Sequence, residues 1–322
     1  MKIVKCDGVL AVEPEQHAYL AELDAAFIEK TLLNEDELIE ECHDADALMI
    51  LREPVTERVL KALPKLKVIG RFGVGLDSID VEACTRAGVQ VTYVPDSNLD
   101  EVSTHAVAMM LALARRLKRY DTAVREGRWQ AMVDGEGIVR PSHQTLGLIG
   151  FGQIGRMTAR KASAFGYRII AYDPYMAAER IAATGVDAAT FEEVITQSDI
   201  VSLHVPATPE TQNIISRDVL ARMKKGAILV NVSRGGLVDE VALAEALQSA
   251  HLSGAGIDTL VQEPVGMDNP LLSVENLLLS PHAAHYSKQS YSEVRNKVFA
   301  DVVAVLRNRA PRYGFNSVLK RD

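Results

Sequence analysis

The chain has 322 residues, of which 48% are hydrophobic and 24% are charged. A chain of this size and composition can build a large core of its own, which excludes a disordered protein, a fibrous repeat and a small disulfide-stabilised scaffold. The 43 acidic residues outnumber the 35 Lys and Arg residues and give a net charge of −8, and this negative field argues against nucleic acid as a partner.

The three cysteines, Cys6, Cys42 and Cys84, are widely spaced and form no CxxC pair. Their spacing predicts neither a metal site nor a redox dithiol, and free thiols are typical of a reducing compartment. Residues 1–7 lack the pattern of a signal peptide, and the apolar run 106–114 is too short to cross a bilayer. We therefore expect a cytoplasmic protein with no membrane partner.

The first hundred residues alternate between short β-branched runs and helix-like stretches. Strands are predicted over residues 3–4, 47–51, 67–69 and 89–94, and helices over residues 15–30, 56–63 and 80–87. Thr56 is the expected N-cap of the second helix. Alternation of this kind predicts a parallel sheet covered by helices.

A longer helix is predicted over residues 102–117, where apolar side chains recur at spacings of three and four. The sequence is polar over 118–127, and a loop is predicted over 135–144. A second series then predicts strands over 145–149, 168–172, 200–204, 227–231, 254–258 and 277–280, and helices over 153–165, 190–197, 216–222, 240–249 and 290–308. The pattern favours two α/β units joined by helices.

The strongest local motif is a glycine loop between a predicted strand and a predicted helix. Gly150, Gly152 and Gly155 fit G-x-G-x-x-G. These glycines permit a tight turn, the approach of a pyrophosphate and close packing of helix on strand, and the pyrophosphate would lie at the helix N-terminus. Asp173 ends the following strand, where a carboxylate binds ribose hydroxyls and repels a 2′-phosphate. The motif therefore predicts NAD rather than NADP.

Candidates for chemistry stand at the ends of later predicted strands, where open parallel sheets bind ligands. Arg234 suits a clamp on a substrate carboxylate, because its guanidinium can bind both oxygens. His282 suits an acid/base, and Glu263 suits the carboxylate that orients it. Taken singly, each has an ordinary alternative: a helix cap or a surface ion pair for Arg234, a solvated loop charge for Glu263 and a hydrogen-bonded turn residue for His282.

In combination, these residues resemble the NAD-dependent D-2-hydroxyacid dehydrogenase family over essentially the whole chain. Five motifs carry the resemblance in the family's order: Gly73-Val74-Gly75-Leu-Asp77 with Ile79-Asp80, the loop 150–155, Asn231-Val-Ser-Arg234-Gly-Gly-Leu-Val-Asp239, Gly256-Ile-Asp258 with Glu263-Pro264, and Ser280-Pro-His282-Ala-Ala. The resemblance implies hydride transfer between NAD(H) and a small D-2-hydroxy or 2-keto acid. It also implies catalytic roles for Arg234, Glu263 and His282.

The resemblance further implies sets of binding residues and no metal ligand. NAD contacts are expected at Val74, Thr104, Gly150, Gly152, Gln153, Ile154, Gly155, Asp173, Val205, Pro206, Thr211, Val232, Ser233, Asp258 and His285. Asp258 is the expected contact of the nicotinamide carboxamide. Substrate contacts are expected at Arg52, Arg71, Gly73, Val74, Gly75, Arg234 and His282, with the amides of residues 74 and 75 holding the substrate carboxylate.

The implied fold consists of two Rossmann-like, doubly wound parallel-sheet domains. The NAD domain, about residues 100–285, would be inserted into a flavodoxin-like substrate domain made of residues 1–99 and 286–322. The helices over 98–117 and 286–308 would make the two crossings between them. The family also implies a homodimer, for which the first of these helices has sufficient apolar surface.

Within the family, the chain is similar to both the C-terminal-binding-protein branch and the phosphoglycerate dehydrogenase branch. The corepressors have Trp where this chain has His285, which predicts a more polar pocket here. Arg52 and Arg71 would suit a second anionic group on the substrate. The alternative is that Arg52 is a charge at the rim of the site and Arg71 is a common family residue. The alternative function is an NAD(H)-sensing binding protein. Formate is disfavoured, because formate dehydrogenases have Gln at the position of Glu263.

Overall fold

The computed structural model describes residues 1–21 and 23–318. It divides the chain into a terminal unit, Met1–Asn98 with Ser287–Asp322, and a central unit, Leu99–Tyr286. Residue 22 of the predicted helix 15–30 and residues 319–322 of the predicted substrate domain lie outside the described residues.

The helices and strands follow one another in this order: β1 (Lys2–Lys5), α1 (Pro14–Leu20), β2 (Ala26–Glu29), α2 (Glu35–Cys42), β3 (Ala47–Ile50), α3 (Glu57–Ala62), β4 (Val68–Arg71), α4 (Val81–Arg86), β5 (Gln90–Thr92), α5 (Leu99–Ala114), α6 (Leu117–Arg125), α7 (Ala131–Asp134), β6 (Thr145–Ile149), α8 (Gln153–Ser163), β7 (Arg168–Tyr172), α9 (Ala178–Ala182), β8 (Asp187–Ala188), α10 (Phe191–Gln197), β9 (Ile200–Leu203), α11 (Arg217–Arg222), β10 (Ile228–Asn231), α12 (Glu240–Gln248), β11 (Gly254–Ile257), β12 (Leu277–Leu279) and α13 (Lys288–Leu306).

The terminal unit is built on a five-stranded parallel sheet in the order β2-β1-β3-β4-β5. This is the strand order of flavodoxin-like folds. Val4 pairs with Ile28 on one side and Leu48 on the other. Helix α13 packs closely on β4, because a Cβ at Gly70 would lie 2.6 Å from Val302 Cγ2. The two chain ends therefore contribute to one core.

The central unit has a seven-stranded parallel sheet in the order β12-β11-β10-β9-β6-β7-β8. Numbered from its own first strand, the order is 3-2-1-4-5-6-7, which is the dinucleotide-binding order with one added strand. Strands β9, β10 and β11 are buried throughout, as expected for parallel strands covered on both faces. The strand order reverses between β6 and β9, which places a ligand crevice at their carboxyl ends.

The predicted fold class is confirmed, since both sheets are parallel and covered by helices. The predicted helix over 15–30 is wrong after Leu20, because residues 26–29 form strand β2. The predicted helix over 102–117 ends at Ala114, since Arg116 has φ of 52° and a new helix begins at Leu117. Thr56 occupies an N-cap position, but its side chain accepts no cap hydrogen bond from the described residues.

No helix in the described ranges combines the length and the apolar composition that a membrane crossing requires.

Candidate active site

The glycine loop follows β6 and ends in the N-terminus of α8. Gly150 has φ of +93°, and a Cβ there would lie 2.5 Å from the carbonyl oxygen of His204. A Cβ at Gly155 would lie 2.4 Å from the carbonyl oxygen of Gly150, so both positions exclude a side chain. Gly152 faces open space and caps α8, whose first helical residue is Gln153. The loop therefore offers exposed amides to a phosphate, as the motif predicts.

The carboxylate of Asp173 lies beside this loop, half-buried at the end of β7. Its Oδ2 accepts a hydrogen bond from Phe151 N at 2.8 Å, and its Oδ1 accepts one from Tyr175 N at 2.9 Å. Each oxygen keeps a further lone pair that could accept from a ribose hydroxyl. The glycine loop, the helix N-terminus and this carboxylate together fit NAD, and the negative charge opposes a 2′-phosphate.

Residues 205–211 lie against the other side of the glycine loop. Val205 Cγ1 would be 2.8 Å from a Cβ at Gly150. The hydroxyl of Thr211 donates to Pro206 O at 2.7 Å and accepts from Thr208 N at 2.8 Å, so it closes the turn that follows β9. The structure thus brings the predicted contacts Val205, Pro206 and Thr211 to the same edge.

Other predicted NAD contacts have different surroundings. Thr104 Oγ1 accepts from Lys161 Nζ at 2.5 Å, and Lys161 lies eight residues along α8, about 12 Å from its start. The structure therefore does not bring Thr104 to the glycine loop. Val232 is 6% exposed and offers a ligand little beyond its backbone. The Ser233 hydroxyl donates to Leu203 O at 2.8 Å.

His282 and Glu263 form a close pair in the central unit. Nδ1 of His282 is 2.7 Å from Oε2 of Glu263, and Oε1 of Glu263 accepts from Leu260 N at 3.2 Å. No atom of the described residues forms a hydrogen bond with Nε2 of His282. A carboxylate at Nδ1 accepts the Nδ1–H and fixes the orientation of the ring. The pair can therefore present Nε2 to a ligand oxygen.

Arg234 follows β10 at the same edge of the sheet. Its carbonyl accepts from Asn231 Nδ2 at 2.8 Å, and its Nη1 donates to Ser233 O at 2.8 Å. A Cβ at Gly235 would lie 2.0 Å from the carbonyl carbon of Leu260. Because position 235 has no side chain, the backbone after Arg234 contacts the loop that carries Glu263. The three predicted catalytic residues thus meet at one edge of the central sheet.

Asp258 lies beneath the turn that carries His282. Its side chain is fully buried, and its oxygens accept from Ser280 Oγ at 2.5 Å, Ala283 N at 2.8 Å and Ala284 N at 3.0 Å. The protein's own donors thus hold this carboxylate against the turn 280–284, and its contact with the nicotinamide carboxamide stays a prediction. His285 lies edge-on to His282, with ring centroids 5.7 Å apart.

The predicted substrate residues of the terminal unit follow β3 and β4. Arg71 Nη1 donates to Phe72 O at 2.9 Å and lies 1.8 Å from where a Cβ at Gly73 would be, at φ of +139°. Within the described residues the amides of Val74 and Gly75 donate to no acceptor. Two free amides beside a guanidinium can bind an anion.

Arg52 follows β3 in the terminal unit, and its amide donates to Glu53 Oε2 at 3.0 Å. The backbone amide of Leu51 donates to the same oxygen at 2.6 Å. Burial raises the pKa of Glu53.

No group of three or more His, Cys, Asp or Glu side chains across residues 1–21 and 23–318 is arranged to hold a metal ion.

Two histidines of the central unit, His204 and His105, have no role predicted from the sequence. His204 directly follows β9, with Nε2 3.0 Å from Ser202 Oγ, and its buried Nδ1 has no partner among the described residues. His105, on α5, contacts Ser280. A lone histidine in a helix or at a strand end has no local pattern that distinguishes it, so only the fold could identify either.

His204 is expected to make the fold sensitive to acid. Burial lowers the pKa of its imidazole to about 4, whereas the unfolded chain has a value of about 6.5. Between those values the unfolded chain binds more protons, so the free energy of unfolding falls as the pH decreases, by about 2 kcal/mol from pH 7 to pH 5. Urea unfolding at both pH values should show a smaller decrease in His204→Gln. An equal decrease in both proteins would contradict this assignment.

Comparison with known proteins gives a consistent result. Residues 107–284 match the family model "D-isomer specific 2-hydroxyacid dehydrogenase, NAD binding domain". A glyoxylate reductase of Korarchaeum cryptofilum is 40% identical over 280 residues, which cover 85% of this chain and 83% of that protein. A D-3-phosphoglycerate dehydrogenase of Mycobacterium leprae is 39% identical over 82% of this chain and 49% of its own length. The chain thus spans about half the length of that relative.

A solved structure extends the likeness to the whole fold. The D-lactate dehydrogenase of Aquifex aeolicus, in complex with NAD and lactic acid, superposes with a TM-score of 0.84 at 29% identity, over 95% of this chain and 96% of that one. The sheet order, the glycine loop with its carboxylate and the family match agree. The chain belongs to the NAD-dependent D-isomer-specific 2-hydroxyacid dehydrogenase family.

Proposed function

We propose that the protein transfers a hydride between NAD(H) and C2 of a small D-2-hydroxy acid or 2-keto acid. The observation that carries the proposal is the 2.7 Å pair of His282 and Glu263 beside Arg234. This pair lies in the unit that contains the NAD-binding match. Acid–base groups and an anion-binding guanidinium at one sheet edge are what reduction of a 2-keto acid requires.

The glycine loop, the N-terminus of α8 and Asp173 would hold NAD. When bound, NAD(H) supplies or accepts the hydride. Arg234 binds the carboxylate and the carbonyl oxygen of the keto acid, because its guanidinium offers several donors in one plane. This charge also stabilises the negative charge that develops on the oxygen during reduction.

His282 supplies the proton in the same proposal. Its Nε2–H donates to the carbonyl oxygen of the keto acid, and this oxygen becomes the hydroxyl of the product. In the oxidative direction, neutral His282 removes that proton again. Glu263 accepts the Nδ1–H of the imidazole throughout, so Glu263 orients the acid and does not itself transfer a proton to substrate.

The substrate class is tested with a panel of keto acids. NADH oxidation would be followed with glyoxylate, pyruvate, hydroxypyruvate, phosphohydroxypyruvate and branched or aromatic 2-keto acids. Turnover of at least one small 2-keto acid is the expected result. Tight NADH binding with no turnover across the panel would overturn the proposal and favour the NAD(H)-sensing alternative, which a pull-down with and without NADH would then examine.

We further propose that the amides of Val74 and Gly75 hold the substrate carboxylate, with Arg71 and Arg52 available to a second anionic group. The free amides beside the Arg71 guanidinium support the first part. If the second part is correct, phosphohydroxypyruvate should have a lower KM than pyruvate, and Arg52→Ala should remove much of that difference. Equal effects of Arg52→Ala on both substrates would leave Arg52 as a rim charge.

We propose a homodimer as the assembly. Of the 18 large apolar side chains that are exposed among the described residues, six lie between residues 117 and 139. Trp129 is 86% exposed and Met132 is 90% exposed, and such concentrations of apolar surface are typical of protein interfaces. A second copy of the chain is the partner that the family resemblance implies.

The dimer is expected to dissociate when this segment becomes charged. Trp129→Glu with Met132→Glu should convert a dimer to a monomer in light scattering at micromolar concentration, because burying the two carboxylates would be costly. Tyr175→Glu, at another exposed position of the central unit, is the matched control and should remain dimeric. A monomeric wild-type protein, or a dimeric double variant, would contradict the proposed interface.

A further inference from the structure

A polar network adjoins the turn that carries His282. On α5, Nε2 of His105 is 2.9 Å from Ser280 Oγ, and Ser280 Oγ is 2.5 Å from Asp258 Oδ1. All of these residues belong to the central unit. The network therefore links a helix to the strand ends where the proposed chemistry takes place.

The direction of the hydrogen bonds follows from counting protons. A serine hydroxyl has one proton, and the carboxylate of Asp258 is an acceptor that takes it. Ser280 Oγ must then accept from its other neighbour, so Nε2 of His105 carries a proton and donates it. Nε2 also lies 3.8 Å from Asp258 Oδ1. His105 thus directs its N–H, through Ser280, toward a fully buried carboxylate, which needs several donors because an unpaired buried carboxylate is costly.

Asp258 in turn defines the backbone around His282. Its carboxylate accepts from the amides of Ala283 and Ala284, and its carbonyl accepts from His282 N at 2.8 Å. His282 has φ of 52°, a left-handed conformation that is unfavourable for a residue with a Cβ. These bonds hold His282 in that conformation, in which its ring reaches Glu263.

We propose that His105 is a positioning residue for the His282–Glu263 pair. It acts through Ser280 and Asp258, whose bonds fix the turn 280–284, and it touches neither reacting atom. This inference rests on the acid/base role proposed above for His282. The chain of contacts predicts that loss of the His105 donor loosens the turn and misplaces the imidazole, with the catalytic groups themselves intact.

The test compares His105→Leu, which removes the donor, with His105→Gln, whose side-chain amide can replace Nε2–H. His105→Leu should lower kcat for keto acid reduction by about 10- to 100-fold, the scale expected when a catalytic group is misplaced. KM and the NADH dissociation constant from fluorescence titration should change by less than about twofold. His105→Gln should recover most of kcat.

Two further measurements separate positioning from a general loss of stability. Ser280→Ala should cause the same loss of kcat, and the double variant with His105→Leu should be no worse than either single variant, because both changes break one chain of contacts. In the protein without ligand, hydrogen exchange at the amides of residues 282–284 should be faster in His105→Leu than in the wild type, with exchange of the β6 amides unchanged.

Wild-type kcat in both His105→Leu and Ser280→Ala would overturn the inference. So would a raised NADH dissociation constant at unchanged kcat, because His105 would then bind the cofactor. Failure of His105→Gln to recover kcat would also count against it. These outcomes are distinct from failure of the proposed function, which would appear as full turnover in a variant that lacks the His282 imidazole.

Discussion

His282→Gln is expected to lower kcat for reduction of a 2-keto acid by about 1,000-fold, within the usual range for loss of a general acid. The amide cannot provide an acidic proton, although it is similar in size to the imidazole and can still hydrogen bond to Glu263. KM and the NADH dissociation constant should change little, because the glycine loop, Asp173 and Arg234 are unaltered. Steady-state kinetics and fluorescence titration measure the three quantities separately.

The matched controls for this experiment are a second histidine and the carboxylate partner. His143→Gln changes an exposed histidine of the central unit and should leave kcat at the wild-type value. Glu263→Gln should reduce kcat less than His282→Gln does, because the imidazole remains but loses the carboxylate that orients it. Wild-type turnover in His282→Gln would exclude His282 as the acid.

Arg234→Ala is the second change with a large expected effect. It should lower kcat/KM by about 100- to 1,000-fold, because the substrate carboxylate and the developing oxyanion lose a charge-assisted partner. KM should rise and kcat should fall together, since the same guanidinium is proposed to act on the bound substrate and on the transition state. The NADH dissociation constant should remain close to that of the wild type.

Arg234→Lys distinguishes charge from geometry at this position. Lysine keeps the positive charge but lacks the planar arrangement of donors, so it should recover only part of the activity lost in Arg234→Ala. Arg180→Ala, at an exposed arginine on α9, is the control and should behave as the wild type. Full activity in Arg234→Lys would show that charge alone suffices, and full activity in Arg234→Ala would remove Arg234 from the mechanism.

The sequence predicts six of the seven strands of the central sheet, because these six are continuous apolar runs bounded by glycine and polar residues, whereas the exposed edge strand β8 is not predicted. It predicts the edge strand β2 poorly. Phe27 and Ile28 are only partly buried, and their spacing fits the helix that precedes them. Pairing of β2 with β1, a contact between residues far apart in the chain, overrides the local preference. Helix α6 is not predicted from the sequence, because its residues are mostly polar.

The candidate site also has a part that the sequence predicts and a part that depends on the fold. Motif spacing places Arg234, Glu263 and His282 at strand ends, and parallel topology brings those ends together. The 2.7 Å contact between His282 and Glu263 depends on two loops, and Gly235 permits the close approach of one of them. The burial of Asp258 depends on donors from Ser280 and the following amides, which no local pattern reveals. The motif therefore identifies Asp258 as a candidate, whereas its hydrogen bonds to the turn 280–284 follow only from the fold.

A deuterium label tests the central claim most directly. The protein would be incubated with NADH deuterated at both C4 positions of the nicotinamide, together with the fastest 2-keto acid of the panel whose product is chiral at C2, which excludes glyoxylate. The account predicts a 2-hydroxy acid of D configuration with deuterium at C2, seen by NMR and chiral chromatography, and about 1,000-fold slower formation in His282→Gln. A product without deuterium at C2, or one of L configuration, would contradict it.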